Sequence, residues 1–263
     1  MSDITLGQFV PGNSAIHRLD PRTKLITCLL FMICMMFVQR FSVMAVLLLM
    51  MITLYSISSI HLSIAINNLK PFLWLFLFTM ILHGLFTDGA VLWNIPVVNR
   101  VITWDGIEQG AFYSVRICLF ILLANLLTLT TSPMALTDAL EKLLSPFRIF
   151  GISSTEIALM LSIALRFIPI LIEETDRIKK AQISRGAEFS GWIVIRVQKL
   201  IALIIPLFIS TFRRANELAM AMDARCYHGA QKRTHYFKLQ FKLPDIISFV
   251  ITFLACITLL KWR

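Results

Sequence analysis

FSVMAVLLLMMITLYSISSI, residues 41–60, carries no charged side chain over twenty positions. Its apolar residues do not alternate with polar ones, so it does not read as a barrel strand. Its length matches the roughly 20 residues that a helix needs to cross a hydrocarbon core. Lipid holds no water to satisfy a peptide group, so a spanning segment of this kind is helical. On its N-terminal side, residues 25–38 form a second uncharged run, separated from the first by Gln39 and Arg40. Together the two runs are too long for one crossing, and they predict a helical hairpin. Further along, residues 71–86, 111–130 and 243–260 are apolar runs, the second interrupted by Arg116. Residues 87–110, between two of these runs, hold Gly, Pro, Asn and Asp and predict a loop.

Composition agrees with this reading. Hydrophobic residues make up 57% of the 263 and charged residues 15%, against about a quarter charged in a soluble domain. One soluble domain could not hide that much apolar surface. The net charge of +10 would suggest nucleic acid as a partner of a soluble protein. In a membrane protein it reads instead as basic loops retained on the cytoplasmic side, with the lipid bilayer as partner and no nucleic acid. Cys28, Cys34, Cys118, Cys226 and Cys256 contain no CxxC pair and read as reduced small side chains.

The expected organisation has three parts: membrane helices in residues 1–131, a cytoplasmic or interfacial region in 132–242, and a C-terminal membrane helix in 243–263. In the middle part, Ser132-Pro133 is a helix start. It places Leu136, Ala139, Leu140, Leu143 and Leu144 on one face, and Asp138, Glu141 and Lys142 on the other. Ser153 and Glu156 have capping-box spacing and open a long helix that Gly186 stops. A second long helix starts near residue 193, with Gly229 as its stop. Each begins apolar and ends charged, and Pro169 and Pro206 lie inside them as possible hinges. The fold class is therefore an all-α integral membrane protein, with about five transmembrane helices plus cytoplasmic amphipathic helices.

Charge bias orients the chain. Residues 213–242 hold seven Lys or Arg against Glu217 and Asp223, whereas residues 87–110 hold Arg100 against Asp88, Asp105 and Glu108. The positive-inside rule puts the N-terminus and residues 132–242 in the cytoplasm and residues 87–110 outside. A fifth crossing leaves the C-terminus outside, which Lys261 and Arg263 fit poorly.

Motifs for chemistry are missing. There is no phosphate-cradling GxxxxGK[ST], no GxGxxG, no HExxH and no GxSxG. Cys226, His228 and His235 lack the ligand number and spacing of a metal site. Arg116 and Arg166 are lone charges in apolar stretches and read as paired or snorkelling structural residues. Glu173, Glu174 and Asp176 lie among Arg177, Lys179 and Lys180 and read as a solvated face. No catalytic residue, metal or cofactor is expected on this chain.

One feature occurs twice. Ser184-Arg185-Gly186 ends the first long helix and Ala224-Arg225-Cys226 the second. A small residue on either side leaves the guanidinium unobstructed, and its planar fork matches a carboxylate. An Arg at one helix end would only complement the helix dipole; the parallel pair favours docking.

With these tripeptides and with His17-Arg18-Leu19-Asp20-Pro21-Arg22-Thr23-Lys24 before the first run, the chain resembles the transmembrane T component (EcfT or CbiQ-like) of energy-coupling factor importers, which are of the ATP-binding cassette class. The resemblance implies a scaffold in a bacterial or archaeal membrane, joined to two ATPase subunits and to a substrate-binding S component for vitamins or metal ions. ATP and Mg would then be bound by the ATPases. It implies that Ser184, Arg185, Gly186, Ala224, Arg225 and Cys226 couple to the ATPases, with Ser184 in place of the family's Ala and Cys226 in place of its Gly. The rival readings are a stand-alone secondary transporter, which predicts inverted repeats with ionisable groups at mid-membrane, and a membrane-embedded lipid-acting enzyme, which predicts a His, Asp or Glu cluster at the membrane face.

Overall fold

A computed structural model of the chain describes residues 9–95, 100–146, 154–187, 193–227, 229 and 241–262. The elements run α1 (Pro21–Met36), α2 (Phe41–Ser58), α3 (Leu62–Leu69), α4 (Leu73–Phe86), β1 (Val91–Ile95), β2 (Arg100–Thr103), α5 (Trp104–Thr130), α6 (Pro133–Leu144), α7 (Ser154–Ser184), α8 (Ile193–Ala224) and α9 (Leu243–Lys261). The fold is that of an all-α membrane protein. Among the described residues, four stretches are long and apolar enough to cross a membrane: Phe41–Ser58, Leu62–Phe86, Trp104–Thr130 and Thr155–Ser184. Leu243–Leu259 is a shorter apolar helix. Large side chains such as Leu49, Phe78 and Ile251 are exposed on these helices, as they are where lipid is the solvent. Two compact units share the chain: Met1–Ala139 with Lys238–Arg263, and Leu140–Phe237.

In the first unit, α1, α2, α3, α4 and α9 pack around α5 or α1. Phe31, Met35, Met44, Leu47, Met51, Tyr55, Leu119 and Leu126 form its core. Tyr55 is buried with its hydroxyl satisfied, donating to the Leu122 carbonyl at 2.9 Å. The α4–α5 pair is close because α5 presents a stripe of small residues. A Cβ on Gly106 would come within 2.5 Å of the His83 carbonyl oxygen, and one on Gly110 within 3.0 Å of the Met80 Cα. One turn on, the Ser114 hydroxyl reaches the Phe76 carbonyl at 3.3 Å. This is the small-xxx-small packing of membrane helices.

The expected loop over residues 87–110 is different in the structure. Val91–Ile95 and Arg100–Thr103 pair as an antiparallel hairpin, and α5 already starts at Trp104. Thr103 sets that start, its hydroxyl accepting from the Gly106 N–H at 3.2 Å and donating to the Thr87 carbonyl at 2.7 Å. It is an N-cap, and Asp105 in the first turn complements the helix dipole.

A buried polar clasp ties the N-terminal segment to α5 and α9. Lys24 is 7% exposed, and its ammonium donates to the carbonyls of Thr130 at 2.9 Å and His17 at 3.2 Å and to the Thr131 hydroxyl at 3.3 Å. Asp245 is 2% exposed. One of its oxygens accepts from the Asp20 N–H at 2.7 Å and the other from the Lys242 N–H at 2.8 Å. A single carboxylate thus caps the starts of α1 and α9 together. Lys24 precedes the uncharged run; burial lowers its pKa to about 8, against the upward pull of Asp245 and Asp20. His17 is held by Ser14 and the Val10 carbonyl, so the stretch at residues 17–24 is structural.

At α6, Ser132 caps as expected, accepting from the Ala135 N–H at 3.3 Å. The expected faces are partly reversed, since Glu141 is buried and Leu140 exposed. A carboxylate tolerates burial only with a partner, and Glu141 is engaged. The Ser153 cap, with His228 and His235, lies outside the described residues.

Candidate functional site

The second unit contains the two tripeptides. Helix α7 is 31 residues long and α8 is 32, and both run through their internal prolines, Pro169 and Pro206, without a break. Each then ends with the same cap. At α7, the Gly186 N–H donates to the Ile183 carbonyl at 2.9 Å and the Ala187 N–H to the Gln182 carbonyl at 3.0 Å. At α8, the Cys226 N–H donates to the Asp223 carbonyl at 2.9 Å and the Tyr227 N–H to the Met222 carbonyl at 3.1 Å. This paired 5→2 and 6→1 bonding is the Schellman motif, whose turning residue sits in the left-handed region. Gly186 has φ +88° and Cys226 has φ +57°. The stop of α8 is therefore Cys226; Gly229, the stop expected from sequence, lies beyond the end of the helix.

The cap places Arg185 and Arg225 at equivalent positions, each just before the left-handed residue. Ser184, Arg185 and Gly186 are exposed, and so are Ala224, Arg225 and Cys226. A Cβ built on Gly186 would have nothing within 4 Å. Both arginines therefore stand exposed at helix ends, with open space around the Gly186 turn.

Glu174 links the two helices. Its carboxylate holds Arg214 of α8 at 3.3 Å and Arg177 of its own helix at 4.0 Å, and its side chain is 17% exposed. Ten residues separate Glu174 from Ser184, and ten separate Arg214 from Ala224. At about 1.5 Å per residue, each arm beyond this contact is about 15 Å long. Sequence reasoning placed Glu174 on a solvated face with Glu173 and Asp176; those two are exposed, but Glu174 is the strut. The only sequence signal for the contact is its equal spacing from the two tripeptides.

Of the two lone arginines in apolar stretches, Arg116 is held by a backbone carbonyl and two aromatic rings. Its Nη2 donates to the Val38 carbonyl, and its guanidinium lies over Phe112 at 4.8 Å and Tyr113 at 5.2 Å. Arg166 is exposed on α7. Among the described residues, no group of three or more His, Cys, Asp or Glu is placed to hold a metal ion.

Comparison with known proteins gives a consistent result. Residues 12–236 match the family model CbiQ, described as a cobalt transport protein. Proteins named energy-coupling factor transporter transmembrane protein EcfT are similar over nearly the whole chain. The one from Thermosediminibacter oceani is 44% identical, covering 98% of this chain and 97% of the relative. The one from Bacillus subtilis is 43% identical, covering 95% and 96%, and the one from Brevibacillus brevis is 45% identical, covering 100% and 99%.

Proposed function

We propose a coupling function for this chain, which belongs to the CbiQ family of energy-coupling factor transporter transmembrane proteins. Two ATPase subunits of the ATP-binding cassette class dock on the tips of α7 and α8, with Arg185 and Arg225 each entering a carboxylate-lined groove. ATP and Mg stay on those subunits. A membrane S component brings the cargo, a vitamin or a metal ion. Closing and reopening of the ATPases displaces the two 15 Å arms about the Glu174–Arg214 contact, with Pro169 and Pro206 absorbing part of the bend. That displacement reaches the S component through the membrane helices and releases the cargo. The N-terminus and both tips face the cytoplasm of a bacterial or archaeal cell.

The observation that supports this reading best is the duplicated cap. Two helices of nearly equal length end in the same hydrogen-bonded turn, with an exposed arginine in the same place. Dipole complementation alone does not require matched flanking residues or matched arms.

Co-purification tests it. Arg185→Ala and Arg225→Ala each weaken ATPase assembly, by about 2 to 5 kcal/mol if the charge pair is desolvated. The double variant loses both ATPases while remaining in the membrane fraction. ATPases retained by the double variant at the wild-type level would refute the docking role.

A further inference from the structure

Arg40 in the α1–α2 turn and Arg116 on α5 beside it stand at a level where, among the described residues of the first unit, no carboxylate answers them. Heights along the first unit follow from two contacts. Lys24 meets Thr130 at one end of α5, and Arg116 meets Val38 at the other end of α1. Fourteen residues separate Lys24 from Val38, and fourteen separate Arg116 from Thr130. The two levels are therefore about 21 Å apart, whereas the hydrocarbon core is about 30 Å thick. Counted from Thr130, a core of that thickness would end about 9 Å beyond Arg116 and the turn. The same ruler puts the α5 carboxylates Asp105 and Glu108 beyond about 30 Å, outside the core.

Arg40 is exposed two residues after Val38. Among the described residues, no ion pair involves Arg40 or Arg116. Arg116 Nε is buried without a hydrogen-bond partner. Around them stand Phe41, 44% exposed, and Tyr113, 38% exposed, with Phe41 packed edge-on against Phe112 at 5.1 Å. A tyrosine such as Tyr113 suits the headgroup level. The α1 arm, about 21 Å from Lys24 to Val38, is shorter than the core, and a short segment is accommodated by thinning the bilayer around it, which draws phosphate groups down to the turn.

We infer that the α1–α2 turn binds the headgroup of an anionic phospholipid from the leaflet opposite the N-terminus, with Arg40 and Arg116 as its cationic contacts. The lipid phosphate supplies the counter-charge that the described residues of the first unit lack at this level. The aromatic side chains hold the glycerol and upper acyl region. The bilayer is thinned beside α1, while α5, at about 40 Å, stands through it.

The test uses the full-length chain in nanodiscs made of equal parts phosphatidylglycerol and phosphatidylcholine, read by native mass spectrometry of the lipids that stay bound. Wild type retains phosphatidylglycerol in excess. Arg40→Gln, at an exposed position, lowers the part of that excess held at this turn roughly fivefold, and Arg40→Gln with Arg116→Gln removes that part. The readout is the difference between wild type and variant, so lipid held by other basic surfaces cancels. Soluble glycerophosphate in excess leaves the bound lipid in place. Three results would overturn the assignment. Retention in the bulk ratio by wild type would mean that a partner protein supplies the counter-charge. Equal excess in wild type and both variants would place the lipid elsewhere. Displacement by glycerophosphate would mean a water-open phosphate site.

Discussion

Cys226 occupies the position where its twin helix has glycine, and it adopts φ +57°. A side chain in the left-handed region costs roughly 1 kcal/mol or more relative to glycine. Cys226→Gly is therefore expected to stabilise the α8 end by about 0.5 to 1 kcal/mol, read as a rise in the thermal unfolding midpoint. Gly186→Ala should lower the midpoint by a similar amount, through strain alone, since a Cβ there meets open space. Lys24 and Asp245 form the other residue-scale device. Lys24→Met leaves buried oxygens of the clasp without their donor and should destabilise by about 3 kcal/mol. Combined with Asp245→Leu, the loss should fall short of the sum, because the two side chains serve one network. The clasp also predicts a pH slope. Its lysine is held near 8 in the folded protein and returns to 10.5 when unfolded. Between those values the unfolded chain binds more protons, so stability rises with pH across that window. Equilibrium unfolding of Lys24→Met, followed over the same pH range, should lack this rise.

Among the elements, α4 and α5 depend on the absence of side chains. Gly110→Leu puts a branched side chain where even a Cβ lies 3.0 Å from the Met80 Cα, so the pair must separate. Overpacking of this kind costs about 1 to 3 kcal/mol, and a disulfide engineered across α4 and α5 should form more slowly in the variant. The small-residue stripe was legible in principle, since Gly106 and Gly110 have GxxxG spacing. The long uncharged runs were legible for a simpler reason: lipid demands the same polarity at every position along them. The start of α5 was not, because it rests on Thr103 joining the hairpin to the helix, and loop composition outweighs that one cap. The face of α6 was misjudged for a related reason. Periodicity assigns Glu141 to water, but a carboxylate that finds a partner can be buried. The two helix tips were legible as a repeated tripeptide; their shared hydrogen-bonded turn was not, because Cys226 hides the glycine signal.

At the scale of the whole molecule, the unreadable features are those joining distant parts of the chain. The bond from the Asp20 N–H to Asp245 spans 225 residues, and neither partner announces the other in sequence. Orientation, by contrast, rests on counting basic residues, and the five cysteines allow a direct measurement of it. Cys28, Cys34 and Cys256 are buried and Cys118 is partly buried, while Cys226 alone is exposed. A membrane-impermeant maleimide should therefore label Cys226 and spare the other four. With the N-terminus and the helix tips in the cytoplasm, labelling occurs in inverted vesicles and fails in intact cells. Bound ATPases should protect the thiol, because it adjoins Arg225 in the same exposed turn, and Arg225→Ala should restore labelling. Efficient labelling in intact cells would place the tips on the far side of the membrane from ATP. That outcome would remove the coupling function together with the orientation.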